Sequence, residues 1–427
     1  MSITQAQFPR TVRAVPEPLG WYIRPSYVDH RAIADVVANG SIGLHGVIFD
    51  PLNEDRHSEL HHLVVERNRD AILDPRTQEL GSIGGYTERL SALPWASDSP
   101  HSPSDFNDMN IRRIADGIAD YILENRYTAV LAPTHYIQSA NSPWLDIDCR
   151  STKLLRHYLD RAKAVNVPIF YSLAVSYEAF RSPEEREIIF DKLSSLPINS
   201  LWIKISQSST LTHNAVRNLV KGATEFHALG VPLIGDMVGG LRGLSALAFG
   251  AVGGIAHGVT QKENFNAQSW IRPANSNNRG FTWPTRVYIA SLDMHLKKEE
   301  AEAFFEARGS KSRFGCREPN CCPKSFRDML ENPARHSLIQ RSSEIQQLNN
   351  IPEQYRAERF LEETLRPATD AAVFSESLSL KDEFELGNRL TKRRVVLERL
   401  RVGLGEFVKD GQFGSFSQVP ELRAKRH

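Results

Sequence analysis

From about residue 46 onward, short apolar runs alternate with amphipathic segments of helical length. Such alternation is typical of parallel strands joined by crossover helices. The runs are GVIFD (46–50), AILDPRT (71–77), TAVLAPTHY (128–136), VPIFYSLAVSY (167–177), SLWIKISQS (200–208), VPLIGDMVGG (231–240), GGIAHGV (253–259) and RVYIASLDMHL (286–296). Because there are eight of them, we predict an α/β protein with a closed (β/α)8 barrel, rather than an open doubly wound sheet.

The composition fits a folded globular chain. Hydrophobic residues make up 41% and charged residues 24% of the 427 positions, which argues against disorder and fibrous repeats. No apolar stretch approaches the roughly 20 residues that cross a bilayer, so we expect no membrane partner. The opening residues lack the apolar core of a secretory signal, and four cysteines are too few for a disulfide framework. We therefore expect a cytoplasmic protein.

Catalytic groups in such barrels cluster where the strands end. The candidates at these ends are Asp50, Asp74, His135, Tyr177, Lys204, Gln207, Asp236, His257 and Asp293. Asp50 and Asp293 are equally well explained as helix caps, and His257 as a packed core histidine. Proline follows Asp74 directly, and glycines follow Asp236 closely, so backbone can approach a ligand there. We predict that one of Asp74 and Asp236 is the nucleophile and the other the general acid/base. The sequence leaves open which residue has which role.

Three of the four cysteines lie within seven residues, in FGCREPNCCPKSF. A histidine follows fourteen positions after the last of them. Three thiolates and one imidazole are a common closed ligand set for structural zinc, and free thiols in a loop are the alternative. We predict a structural Zn²⁺ bound by Cys316, Cys321, Cys322 and His336, which clips the last barrel helix to the helical tail.

These features give a predicted order of domains along the chain. An N-terminal extension covers 1–45, the barrel 46–305, a zinc-binding module 306–350 and a helical C-terminal region 351–427. A barrel followed by a Cys3His site and a helical tail resembles the tRNA-guanine transglycosylase superfamily.

Two short segments inside the barrel carry the same resemblance. The segment ISQSS with Gln207 is similar to the family's base-reading Q-G-S strand end, and GGL at Gly239, Gly240 and Leu241 is similar to its G-G-L loop. The cysteine spacing differs from the family's C-x-C-x2-C, and the family's D-S-G-G and F-D-C strand ends have no counterpart. These departures from the family's motifs are compatible with the divergent branch of the superfamily that inserts 7-deazaguanine bases into DNA.

The resemblance implies a glycosyltransferase, specifically a pentosyltransferase, that exchanges guanine in a nucleic acid for a 7-deazaguanine. A carboxylate would attack C1′ as guanine leaves. The expected partners are single-stranded DNA or tRNA and the incoming base. The sequence leaves open whether the protein forms a homo-oligomer or needs accessory proteins. Gln207 and the backbone of Gly239 and Gly240 would read the base, and by position Asp50 and His257 would also bind substrate.

Two other functions stay open from the sequence. One is a small-molecule lyase or synthase, in which the glycine-rich loops bind phosphate and Lys204 forms a Schiff base. The other is a barrel without catalysis that binds nucleic acid. Borohydride trapping with a carbonyl substrate distinguishes the lyase or synthase from base exchange. Salt-sensitive DNA binding without base exchange would favour the non-catalytic barrel.

Overall fold

Eight parallel strands close into a barrel, as the alternation of runs predicts. The structure is a computed structural model, and it describes residues 18–206, 211–260, 262–271, 284–380, 384–411 and 415–423. The strands are β1 (Gly20–Ile23), β2 (Gly46–Phe49), β3 (Asp70–Leu73), β4 (Ala129–Leu131), β5 (Tyr136–Ile137), β6 (Ile169–Ser176), β7 (Ser200–Ser206), β8 (Leu233–Asp236), β9 (Gly254–His257), β10 (Arg286–Ile289) and β11 (Met294–Lys297). The pairing of β1 with β9 and of β4 with β6 completes the circle, and β5 adds only a short pairing to β6.

The structure corrects the prediction at both ends of the barrel. Strand β1 lies inside the stretch 1–45 that we had assigned to an extension, where it pairs with β2 and β9. The run 286–296 is not a barrel strand but the antiparallel hairpin of β10 and β11. Asp293, at φ 45°, has the left-handed backbone conformation that lets the chain reverse there. The barrel strands therefore run from 20 to 257.

Helices connect the strands and continue after the barrel. They are α1 (His30–Ala38), α2 (Glu54–Glu66), α3 (Thr77–Leu80), α4 (Asp108–Glu124), α5 (Pro143–Arg161), α6 (Tyr177–Arg181), α7 (Pro183–Leu193), α8 (His213–Phe226), α9 (Gly240–Ala248), α10 (Gln268–Ile271), α11 (Lys298–Glu306), α12 (Ser310–Phe314), α13 (Phe326–Glu331), α14 (Pro333–Asn349), α15 (Glu353–Arg359), α16 (Arg366–Glu376) and α17 (Phe384–Lys409). A π-helical segment, Phe360–Leu365, joins α15 to α16. None of the helices in the described ranges is both long and apolar enough to cross a membrane.

Helix α4 shows how the local sequence specifies these elements. The side chain of Asn107 accepts a hydrogen bond from the backbone N–H of Asn110 at 3.0 Å and so caps the first turn. Ile111, Ile114 and Ile118 follow at spacings of three and four, and all are buried. The apolar stripe packs on the outside of the barrel, where the main hydrophobic core lies between strands and helices.

A separate, smaller core fills the inside of the barrel. It includes Tyr22, Ile48, Ile72, Trp202 and Ile234, each from a different strand. The rings of Tyr22 and Trp202 lie 4.8 Å apart between centroids. Successive residues of a strand point to opposite faces, so the residues two positions further along these strands form the next inward layer, toward the carboxyl ends.

The opposite end of the barrel is covered by the segment 415–423. The hydroxyl of Ser417 accepts a hydrogen bond from the backbone N–H of Leu233 at 3.0 Å, at the start of β8. Pro420 packs so closely on Gly20 that a Cβ atom there would lie 2.4 Å from its ring. In the described part of the chain, this segment thus covers the starts of β1 and β8.

Candidate active site and metal centre

The carboxyl ends of the barrel strands open into a cavity of about 690 Å³. Charged and aromatic side chains line it, and they come from several different strand ends and from the segment after β9. The charged and aromatic lining residues are Arg24, Asp50, Asp74, Arg76, Glu79, Lys204, Lys262, Glu263, Phe265, Trp270, Arg286 and His295. This is the end of the barrel at which such folds place their chemistry.

Arg24 binds two carboxylates at the base of the cavity. It lies two residues after Tyr22, in the inward layer. Its Nε and one terminal nitrogen donate to the two oxygens of Asp236 at 2.9 and 2.7 Å, and the other terminal nitrogen donates to Asp74 at 2.5 Å. Asp236 has no exposed surface, whereas 17% of the Asp74 side chain is exposed. The predicted pair is therefore joined through Arg24, and only Asp74 reaches the cavity.

Asp74 is ionised at any ordinary pH. Burial would raise the pKa of this carboxyl group, but the positive charges of Arg24, Lys204 and Arg76 outweigh burial and hold the pKa at about 2. The backbone N–H of Arg76 also donates to its Oδ1 at 3.0 Å. A negative oxygen is thus fixed in place and faces the cavity.

Asp50 combines both roles that the sequence suggested for it. Its Oδ1 accepts a hydrogen bond from the backbone N–H of Leu52 at 3.0 Å, which caps the turn after β2. Its Oδ2 forms an ion pair with Arg76, which also binds Glu79 with 3.0 Å between Nε and Oε1. Asp50 therefore lines the cavity with its charge already balanced.

Lys204 is buried in the cavity wall at the end of the sixth barrel strand. Its ammonium nitrogen donates to the side-chain oxygen of Gln78 at 2.8 Å. It also lies 4.7 and 5.1 Å from the ring centroids of Phe265 and Trp270. Burial lowers the pKa of Lys204 from its usual value, although nearby carboxylates oppose the shift. Its lowered pKa makes Lys204 a candidate for proton transfer or nucleophilic attack.

Three other predicted residues do not face the cavity. His257 is buried in the outer core, where its Nε2 accepts from Trp21 Nε1 at 3.2 Å. A Cβ atom on Gly239 would lie 2.7 Å from the side chain of Glu263, and one on Gly240 would lie 2.7 Å from the carboxylate of Asp293. These glycines therefore allow close packing with Glu263 and Asp293.

The remaining predicted base-reading residue, Gln207, lies outside the described residues. Sequence reasoning missed Arg24, Gln78 and Glu263. Arg24 was missed because β1 was missed, and the other two lie on a short helix and a loop, where no period marks an inward direction.

The structure brings together the four predicted metal ligands. The ligand atoms of Cys316, Cys321, Cys322 and His336 all lie within 4.8 Å of one another, and all four residues are buried. The two sulfurs of Cys321 and Cys322 are 3.6 Å apart, and each is 3.4 Å from Nδ1 of His336. Ligands of a tetrahedral zinc ion with Zn–S bonds near 2.3 Å stand about 3.7 Å apart. The cluster could therefore hold a metal ion.

Neighbouring groups orient this cluster. Nε2 of His336 donates to the backbone carbonyl of Tyr288 at 3.0 Å, which leaves Nδ1 unprotonated and free to bind a metal. His336 lies on α14 and Tyr288 on β10. The cluster therefore joins the loop 316–322 to α14, and the hydrogen bond of His336 joins α14 to the hairpin after the barrel. The sequence instead predicts a clip between the last barrel helix and the tail.

Helix α14 also connects the metal cluster to the cavity. One residue after His336, the hydroxyl of Ser337 donates to the carbonyl of Val259, just beyond β9, at 2.8 Å. Further along, Arg341 donates to Glu263 at 2.9 Å. Because Glu263 lines the cavity, the first half of α14 connects the Cys3His cluster to the cavity wall through two residues little more than one turn apart.

No family model and no curated protein sequence matches the chain. Among solved structures, an endo-1,4-beta-xylanase from Penicillium canescens is 8% identical over 56% of this chain and 82% of its own, with a TM-score of 0.38. A 3-dehydroquinate dehydratase from Enterococcus faecalis is 14% identical over 58% of this chain and 91% of its own, with a TM-score of 0.35. At these TM-scores the likenesses carry no argument about substrate or reaction.

Proposed function

We propose that this protein is a base transglycosylase, a pentosyltransferase that exchanges guanine in single-stranded DNA or tRNA for a 7-deazaguanine base. The observation that carries the proposal is Asp74, an ionised carboxylate that faces a cavity large enough for a nucleobase. Positive charge develops at C1′ when a glycosidic bond breaks, and a fixed carboxylate can stabilise or trap it.

The different surroundings of the two aspartates support different roles for them in this proposal. Asp74 is exposed to the cavity, so we assign it as the nucleophile. Asp236 is enclosed beneath Arg24 and holds that guanidinium with two hydrogen bonds. We therefore assign Asp236 to positioning, because its oxygens do not reach the cavity.

The proton for the departing base comes from a lysine in this proposal. A glycoside hydrolase uses a second carboxyl group that carries a proton. Among the described residues of the cavity wall, Asp50 and Glu79 are paired with Arg76, and Glu263 with Arg341. Burial lowers the pKa of Lys204, so its ammonium gives up a proton more readily than that of an exposed lysine.

The exchange then proceeds in two half-reactions. An oxygen of Asp74 bonds to C1′ while the C1′–N9 bond breaks. The electron pair of the broken bond leaves with guanine, and guanine takes a proton from the ammonium of Lys204. N9 of the incoming base then attacks C1′ and loses its proton to the amine of Lys204. Asp74 leaves as a carboxylate, so both groups return to their starting states.

The aromatic residues give the base a surface to stack on. Phe265 and Trp270 both line the cavity, with ring centroids 4.8 Å apart. Stacking on such rings is tolerant of base identity and is worth about 1–3 kcal/mol per base. Thr260, Asn264 and Asn266 line the same cavity and offer hydrogen bonds in place of the two glycines that face elsewhere.

The Cys3His cluster completes the proposal as a structural zinc site. Its four protein ligands leave no open position for water, which is typical of structural zinc and not of catalytic zinc. When bound, the ion supplies folding energy to the region that packs against the cavity.

Labelled guanine tests the reaction and the polymer together. The protein is incubated with labelled guanine and either tRNA or single-stranded DNA, and label in the polymer is counted. Asp74→Asn should lower incorporation by more than about 10³-fold, because the nucleophile is lost. Asp108→Asn, in an ion pair exposed to solvent, is the matched control and should exchange normally. Full activity in Asp74→Asn would remove this residue from the mechanism.

Lys204 itself favours a second candidate, a lyase or synthase that forms a Schiff base. A buried amine with a lowered pKa at the end of a barrel strand is what carbonyl chemistry needs. Incubation with small carbonyl compounds and borohydride, followed by mass spectrometry of the peptide that contains Lys204, distinguishes the two. A stable adduct on Lys204 together with no base exchange would favour the second candidate.

A further inference from the structure

Gln78 connects Lys204 to the segment after β4 and to strand β6. It lies on α3, is buried, and uses its side-chain oxygen to accept from the Lys204 amine at 2.8 Å. Its side-chain nitrogen donates to the hydroxyls of Thr134 and Ser172, each at 3.0 Å. Thr134 follows β4 and Ser172 lies on β6, so one amide links three separate elements around the amine.

The neighbouring hydroxyl fixes which way the amide faces. Thr134 donates its own proton to the backbone carbonyl of Ser172 at 2.6 Å. A hydroxyl has one proton, so toward Gln78 it can only accept. The NH₂ group of Gln78 must therefore face Thr134, and its oxygen must face Lys204.

The oxygen that Lys204 meets carries no formal charge. A neutral acceptor holds the amine in place through one hydrogen bond, whereas a carboxylate at that distance would favour the ammonium form strongly. The charged groups that act on Lys204 from the surrounding elements are Glu79, Asp236, Arg24 and Asp74. The three carboxylates in this set already have guanidinium partners, so Gln78 is the direct acceptor.

We infer that Gln78 is the positioning residue that fixes the amine of Lys204 in the cavity wall and, by offering an uncharged acceptor, leaves it able to lose and regain its proton. The inference deepens the proposed function and rests on it only in giving that proton a task. Gln78 lies behind Lys204 and does not line the cavity, so it acts through Lys204.

Two variants of Gln78 move the titration of Lys204 in opposite directions. Gln78→Glu places a carboxylate against the amine and should raise its pKa by about one unit or more. Gln78→Met has similar length but no strong acceptor, so the ammonium loses a hydrogen bond and its pKa should fall below that of the wild type. Gln346→Glu, on the exposed face of α14, is the matched control and should leave the titration of Lys204 unchanged.

Competitive acetylation measures this titration without relying on activity. The full-length, metal-loaded protein is treated with trace acetic anhydride from pH 6 to 11, and acetylation of Lys204 is quantified by mass spectrometry. A purely structural role for Gln78 would lower the melting temperature of both variants without moving the midpoint for Lys204 in opposite directions. That result, or an unchanged midpoint in both folded variants, overturns the inference. If Gln78→Glu does not fold, a downward shift in Gln78→Met supports the inference and an unchanged midpoint overturns it.

The same experiment separates this inference from the proposed function. Suppose that the two variants shift the Lys204 midpoint in opposite directions, but the wild-type protein incorporates no labelled guanine into either polymer. That outcome would overturn the proposed reaction and support the role of Gln78. Base exchange by the wild-type protein together with an unchanged Lys204 midpoint in both variants would support the reaction and overturn the role of Gln78. If both hold, the pH optimum of exchange should shift upward in Gln78→Glu together with the midpoint for Lys204.

Discussion

The barrel mouth and the Cys3His cluster both gather ionisable side chains in buried surroundings, but they balance charge in opposite ways. At the mouth, Arg24 and Arg76 neutralise the acidic groups, and the cavity remains open to a ligand. In the cluster, three thiols and one imidazole face one another with no cationic side chain among the four ligands. Such a set could hold a metal ion, whose positive charge would balance the thiolates.

The difference shows what each region contributes. A site that is complete without its ligand can be altered in its chemistry while the fold persists. A site that requires an ion to balance its ligands contributes to folding itself. We therefore expect changes in the cluster to act first on stability, and changes at Asp74 to act first on the reaction.

The largest expected effect is in the cluster. Cys321→Ser should release the metal and lower the melting temperature substantially, because apparent binding free energies of structural zinc are about 10–16 kcal/mol. The checks are metal content by elemental analysis and thermal unfolding with and without chelator. Cys149→Ser, at the one cysteine outside the cluster, is the control and should retain the metal. A Cys321→Ser protein that still holds one equivalent would contradict the assigned ligands.

The next effect concerns Asp236. Asp236→Ala leaves the buried Arg24 guanidinium without its main partner, and removal of one half of a buried pair is destabilising by about 3–5 kcal/mol. Urea unfolding measures the loss. Adding Arg24→Met to Asp236→Ala should recover part of it, because the orphaned charge is then gone. If the double variant is no more stable than Asp236→Ala, the loss does not come from an uncompensated charge.

The smallest effect is the acid dependence that Asp74 imposes. Its pKa is about 2 in the folded protein against an ordinary 3.8, so between these values the unfolded chain binds more protons. The stabilisation is complete above about pH 4 and is lost as pH falls through 2, and it amounts to about 2 kcal/mol. The difference in unfolding free energy between wild type and Asp74→Asn should therefore shrink as the pH is lowered from 5 to 2. A difference that stays constant over this range would contradict the lowered pKa.

Strand period explains which site residues the sequence could predict. Ile72 and Trp202 fill the inside of the barrel, so Asp74 and Lys204, two residues further on, share that inward direction. His257 follows inward-facing Ala256 by one residue, and its side chain therefore lies on the outer face. The structure supplies the inward direction, because both Ile255 and Ala256 are apolar and the run GGIAHG alone does not show which of them faces the barrel interior.

Other parts of the site left no comparable signal. The Cys3His cluster was predictable because three of its sulfurs lie close together in the chain. The run that forms β1 is four residues long and looks no different from an apolar turn, so Arg24 was missed with it. The contact of Gln78 with Lys204 joins residues 126 positions apart. It forms only when the barrel closes, so no local sequence pattern indicates it.

The packing of Pro420 on Gly20 has a consequence for how the protein is made. The first barrel strand is finished by a segment that lies 400 residues later in the chain. During synthesis the lower end of the barrel must wait for that segment, with the starts of β1, β8 and β9 uncovered in the meantime. We expect chains that stop before residue 415 to be held by chaperones or to aggregate, because the exposed strand starts have nothing else to pack against.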